Sequence, residues 1–240
     1  MKRLALLTGI SLLLVAGQAG AVETSGNVSI ATDYAFRGIS QTNENATIQG
    51  GIDLVADSGL YLGIWASNVN FDGSIELNFY AGYAGSFNEM VNYDLGILRY
   101  EYPDDEQVSA PLCDSAIDKR CESSFTELYG SLDISDFTIG LNYSSDYFYG
   151  SNKAIYVYMG YALGLPGDYG LEFHVGSQSI DRNDRFGGPD YNDYSIALSK
   201  SLDEVDFTVT WHDTDISKEE CFGGSTLCEA RVVFAVSKSL

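Results

Sequence analysis

Residues able to do chemistry are unevenly spread along this chain. Only two histidines occur, His174 and His212, against 34 Asp and Glu and 13 Lys and Arg. Asp33, Asp53, Glu76, Asp94, Glu127, Glu172 and Asp206 fall on the polar phase of runs in which apolar and polar residues alternate. Arg37 and Arg231 are the matching cations, and Gln49 shares that phase. Carboxylates spaced by two along strands line a wall. In a pore such a wall favours cations and repels anions. The competing reading is that these charges pair and hydrogen-bond across a narrow barrel and fill it. Catalysis finds little support. His212 and Asp213 are adjacent, and strand neighbours point to opposite faces. Neither a GxSxG nor an HExxH pattern is present. The acidic stretches "DRNDRFGGPD" and "HDTDISKEE" lack the oxygen-ligand spacing of a calcium loop. No catalytic residue, metal or cofactor is therefore expected.

The elements that must position these residues are strands. The first run sets Val28, Ile30, Thr32, Tyr34 and Phe36 against Ser29, Ala31, Asp33, Ala35 and Arg37. This predicts a strand continuing through Arg37, then an outer loop from Ile39 to Asn45. The second run sets Ile48, Gly50, Ile52 and Leu54 against Thr47, Gln49, Gly51 and Asp53. The same period of two recurs to the end of the chain, which signals strands with one wet and one apolar face. The count is about 12 strands, within 10–14, because turn signals are weak between Tyr143 and Tyr161.

The connections alternate strictly in length. Short ones lie at Asp57, Ser86–Glu89, Ser135, Leu165–Asp168 and Asp203; mostly longer and more polar ones lie between them. An antiparallel up-and-down transmembrane β-barrel has this asymmetry, with short periplasmic turns and longer outer loops. A soluble sandwich has no reason to sort its connections by length onto two ends. Tyr100, Tyr102, Tyr147, Tyr149, Tyr169 and Tyr191 lie near strand ends, where an interfacial aromatic girdle is expected.

The chain opens like a secretory signal peptide: Lys2 and Arg3, an apolar stretch from Leu4 to Gly17, then Ala19, Gly20 and Ala21. Residues 1–21 are expected to be cleaved, leaving 22–240 as a single barrel domain. The formal net charge of −21 excludes nucleic acid as a natural partner, since phosphates must be neutralised by Lys and Arg. With 17 Tyr, 12 Phe and 2 Trp the chain is too aromatic for disorder. The four cysteines fall in two local pairs, Cys113/Cys121 and Cys221/Cys228. An exported protein can keep disulfides. Three pairings are open and local pairing is preferred.

With the strands placed, "TDYAFRGISQT" (Thr32 to Thr42), "QGG" (Gln49 to Gly51) and "YLGIWASNVNF" (Tyr61 to Phe71) form a recognisable set. They resemble the N-terminal signature of the Gcw_chp family of proteobacteria, also described as TorF-type porins. Its motif residues here are Asp33, Tyr34, Phe36, Arg37, Gly38, Ser40, Gln41, Gln49, Gly50, Gly51, Trp65, Ser67 and Asn68. "IELNFYAGYAG" from Ile75 is similar to the family's next element. The match covers roughly residues 27–85, and the family's proline after the Asn-rich loop is replaced by Ala46-Thr47. The resemblance implies an outer-membrane porin-like barrel and names no solute.

The expected function is passive diffusion of small solutes through an acidic lumen, lined by Asp33, Arg37, Gln49, Asp53, Glu76, Asp94, Glu127, Glu172, Asp206 and Arg231. Expected partners are outer-membrane lipid and lipopolysaccharide, and the barrel-assembly machinery during insertion. A non-conducting barrel for adhesion or structure is the alternative, and a soluble exported β-sandwich a more distant one.

Overall fold

The computed structural model describes residues 22–71, 73–103 and 122–240. Residues 1–21, Cys113 and Cys121 therefore lie outside the described part.

Twelve antiparallel strands close into one barrel: β1 (Val22–Ala31), β4 (Thr47–Ala56), β5 (Leu60–Asn68), β6 (Ile75–Asn88), β7 (Val91–Glu101), β8 (Phe125–Ile134), β9 (Phe137–Ser144), β10 (Ala154–Leu165), β11 (Tyr169–Ile180), β12 (Tyr191–Leu202), β13 (Val205–Thr214) and β14 (Arg231–Ser239). Each pairs with its chain neighbour, and β14 closes on β1 with Ile30 opposite Val236. Two further short strands, β2 (Ala35–Phe36) and β3 (Ile39–Ser40), pair only with each other. The register is regular, with one irregularity near Ser86 and Asn88. There β6 runs on to Asn88, further than the turn expected at Ser86–Glu89.

The alternation sorts side chains as an inverted protein. Ile48 is 65% and Phe234 57% exposed, and Leu62, Leu95, Leu128, Ile139 and Ile196 join them on the outward face. A closed barrel with an apolar exterior removes every sheet edge and presents to lipid the surface that lipid solvates. No helix among the described residues is long and apolar enough to cross a membrane.

On the inner face, tyrosines and glycines face each other across neighbouring strands: Tyr80 opposite Gly63, Tyr61 opposite Gly82, Tyr129 opposite Gly96 and Tyr158 opposite Gly140. A Cβ at Gly96 would lie 2.4 Å from Tyr129 Cζ, so the ring lies flat across the neighbouring strand. It thereby covers backbone that glycine leaves bare. The flat rings reach two strands away. From β5, Tyr61 crosses Gly82 to donate to Asp94 on β7 at 2.5 Å. From β6, Tyr80 crosses Gly63 to donate to Asp53 on β4 at 2.5 Å. Side chains thus lace the half of the barrel nearest the short turns.

Candidate functional site

The long-loop end is built differently. β1 stops at Ala31, and the chain from Thr32 to Ala46 turns into the barrel. This corrects the expectation of a strand through Arg37 with an outer loop from Ile39 to Asn45. Asp33, Tyr34, Ala35, Arg37, Ile39, Ser40, Gln41 and Thr42 are all buried, so Tyr34 and Phe36 belong to no lipid-facing stripe. Arg37 and Gly38 form the tip, at φ 49° and 80°. Two consecutive left-handed residues make the tight two-residue turn that suits a hairpin. Alternation predicted an unbroken strand because a hairpin this short keeps the period of two on either side of its turn.

The tip reaches the opposite wall. Going round the barrel from β1, β8 is the fifth strand in one direction and β10 the fifth in the other. Arg37 Nη2 donates to both carboxylate oxygens of Glu127 on β8, at 2.9 and 2.8 Å, and Nη1 donates to Gln178 Oε1 on β11 at 2.7 Å. The guanidinium lies 4.1 Å from the ring centroid of Tyr156 on β10 and 4.7 Å from that of Phe36. Glu127 also accepts from Asn142 at 3.0 Å, so both charges have partners. Burial alone would work against the Arg37 cation. The Glu127 carboxylate, together with Tyr147, Tyr100 and Tyr156, outweighs it and holds the arginine's pKa above its ordinary value.

A second contact ties the hairpin to the near wall. Tyr34 OH donates to Glu76 on β6 at 3.1 Å, Tyr102 OH to the other carboxylate oxygen at 2.9 Å, and Asn78 to the first at 2.7 Å. Burial, then the Glu76 charge, raise the Tyr34 phenol above its ordinary pKa, which keeps it a donor. Trp65 on β5 meets the Tyr34 ring edge-on at 5.5 Å. A Cβ at Gly51 would crowd Trp65 Cδ1 at 3.3 Å and the Ile64 carbonyl at 2.8 Å. Gln49 donates to Ser67 at 3.4 Å, Ser67 meets Thr47 at 2.9 Å, and Asn68 receives the Ile48 N–H at 2.8 Å. The motif residues are therefore the hairpin and the stretch of wall beside it.

The third contact comes from the segment between β13 and β14. Asp33 accepts from Ser40 at 2.7 Å, from Thr42 at 2.6 Å and from Arg231 at 3.0 Å. Arg231 also donates to the carbonyls of Thr226, Leu227 and Glu229. Leu227 accepts the Ser40 N–H at 3.0 Å. Cys221 and Cys228 form the expected disulfide in this segment and are almost fully buried.

Around the hairpin lies an aromatic cluster. Tyr100 stacks on Phe125 at 4.2 Å, and Phe125 meets Phe148 at 4.4 Å and Tyr147 at 4.6 Å. Tyr100, Tyr102, Tyr147 and Tyr191 are each at most 5% exposed, which overturns their assignment to an interfacial girdle. Tyr149 packs against the same cluster, and only Tyr169, 44% exposed, faces outward. Strand-end position does not distinguish a tyrosine facing lipid from one facing in; the phase does.

Elsewhere, Asp206 accepts from Ser201 at 2.5 Å, and Glu172 shares the face of His174 on β11. His174 Nε2 lies 3.2 Å from Asp193 and 2.8 Å from Tyr156 OH. Among the described residues, no group of three or more His, Cys, Asp or Glu could hold a metal ion. Sequence reading missed Gln178 and Tyr156 as partners of the hairpin, and Asn142 and Asp193 as the residues that in turn bond Glu127 and Tyr156. Their inward phase was visible, but the strand facing the tip was not.

A closed barrel with an apolar exterior, a polar interior and part of its own chain crossing the lumen defines a porin-type membrane barrel. The chain belongs to the Gcw_chp family, described as "Bacterial protein of unknown function (Gcw_chp)", whose match spans residues 15–240. The fold is similar to that of the KdgM porin, with a TM-score of 0.58 at 11% identity over 90% of this chain and 99% of that one. A KdgM porin in complex with disordered oligogalacturonate gives 0.56 at 11% identity, covering 92% and 99%. The NanC porin gives 0.56 at 10% identity, covering 90% and 100%. No curated protein matches the sequence.

Proposed function

We propose that the protein is an outer-membrane channel for passive diffusion of small solutes, with a preference for cations or neutral solutes over anions. Its signal peptide, residues 1–21, is removed on export, and 22–240 forms one barrel domain inserted by the barrel-assembly machinery. Lipid and lipopolysaccharide surround it, with the short turns on the periplasmic side.

The carrying observation is the charge on the inner wall. Asp53, Asp94, Glu172 and Asp206 sit on the inner phase in the periplasmic half. The inward cations Arg37 and Arg231 lie in the outer half, tied to Glu127 and Asp33. A solute in the periplasmic half meets carboxylates and tyrosine hydroxyls, a field that concentrates cations. Reconstituted protein in planar bilayers should give small ohmic steps in KCl. Under a KCl gradient the reversal potential should have the sign of cation preference. No steps in any of several salts would sink the channel, and anion preference would sink the role of the acidic wall.

A second reading, a non-conducting barrel, is favoured by the aromatic cluster and hairpin that occupy the outer end. Silence in bilayers together with binding of whole cells to a soluble partner, lost on loop deletion, would support it.

A further inference from the structure

We propose that the hairpin from Asp33 to Thr42 is a removable plug, latched by Arg37, that narrows the conduit while in place and opens it fully when it leaves the lumen. The inference rests on the channel reading and adds to it the element that limits conduction.

Four observations carry it. The hairpin crosses the lumen from the β1–β4 side to β8, β10 and β11 on the far wall, so it obstructs the path rather than lining it. Its two strands form a separate sheet and pair with no barrel strand. Beyond its own residues, it exchanges backbone bonds with connecting segments, Ser40 N–H to the Leu227 carbonyl and Asn70 N–H to the Gln41 carbonyl. Withdrawal would thus leave the barrel ladder intact. Finally, the tip is held by side chains: the Arg37–Glu127 pair, the Gln178 bond and the Tyr156 ring. A filler that only stabilised the barrel would need no buried ion pair at its far end. Apolar packing fills space as well and avoids desolvating two charges.

Buried charge pairs dictate the choice of variant. Removing one partner strands the other charge in the interior, whereas neutralising both does not. The double substitution Arg37→Met with Glu127→Gln therefore unlatches the tip and leaves no orphan charge. A second variant replaces Tyr34–Gln41 by a short Gly-Ser linker and removes the plug outright. Both are compared with wild type in planar bilayers, after heat-modifiable migration on gels has shown each to be a folded barrel.

Wild type is expected to show the smallest steps. The trimmed barrel should show unitary conductance at least about threefold larger, and the double variant should fluctuate between the two levels. Equal, non-zero conductance in all three would overturn the plug and leave the channel standing. If none of the three conducts while all are folded, the channel reading falls, and with it any gating role for the hairpin.

Discussion

The two halves of the barrel solve the same problem differently. Both have an inner wall of tyrosine, glycine, small polar residues and carboxylates. At the short-turn end each tyrosine lies flat over a glycine, as Tyr129 does over Gly96, and the wall finishes itself. At the long-loop end Tyr34, Tyr100, Tyr102 and Tyr147 stand in a packed cluster, and the carboxylates Asp33, Glu76 and Glu127 receive donors from or around the hairpin. The difference teaches that an inward polar residue can be wall or core. What decides is whether another segment of chain is available to pack on it.

The hardest test of this contrast is the latch. Arg37→Met alone leaves Glu127 buried without its cation and should cost about 3–5 kcal/mol, while adding Glu127→Gln should recover most of that loss. Urea unfolding from phospholipid vesicles would measure both. A single variant as stable as the double would mean that the outer half is no more a core than the other. Next is the disulfide that closes the segment over the hairpin, with a sequence separation of 7. Replacing Cys221 and Cys228 by serine should cost about 2–3 kcal/mol on loop entropy and loosen the outer half first. Hydrogen exchange should quicken at Ser40, whose N–H is bonded to Leu227, before it quickens at β6.

The flat-ring wall has its own test. Gly96→Ala would set a Cβ 2.4 Å from the Tyr129 ring and 2.8 Å from the Ala81 carbonyl, and should cost about 1–3 kcal/mol. Gly164→Ala has no atom within 4 Å and should change stability by less than about 0.5 kcal/mol. Equal effects in the same vesicle assay would remove the distinction between fitted and open wall. Among the substitutions that remove a contact, the smallest loss is expected for Tyr80→Phe, which removes the donor to Asp53 and should cost about 1 kcal/mol.

Much of the architecture was legible in the sequence. Strand number and order and the alternation of turn lengths follow from a period of two and from turn residues, both local properties. The Cys221–Cys228 pairing needed only proximity along the chain. The candidate site was legible in part. Asp53 and Asp94 were placed by phase, and the motif marked Asp33 to Gln41 as special. That this stretch leaves the wall was not legible, because Asp33, Ala35 and Arg37 continue the alternation of β1 without a break. Tyr147 and Tyr191 were misplaced for a related reason: an amphipathic ring at a strand end suits a lipid interface and a loop core equally well.

The sequence by itself therefore determined a barrel, its lipid-facing stripe and an acidic inner phase, since each is written in neighbouring residues. Only the tertiary structure decided that Arg37 meets Glu127, 90 positions away, and Gln178, 141 away. Such a pairing depends on which strands end up facing each other across the lumen. Closure of the barrel fixes that, and no local pattern records it.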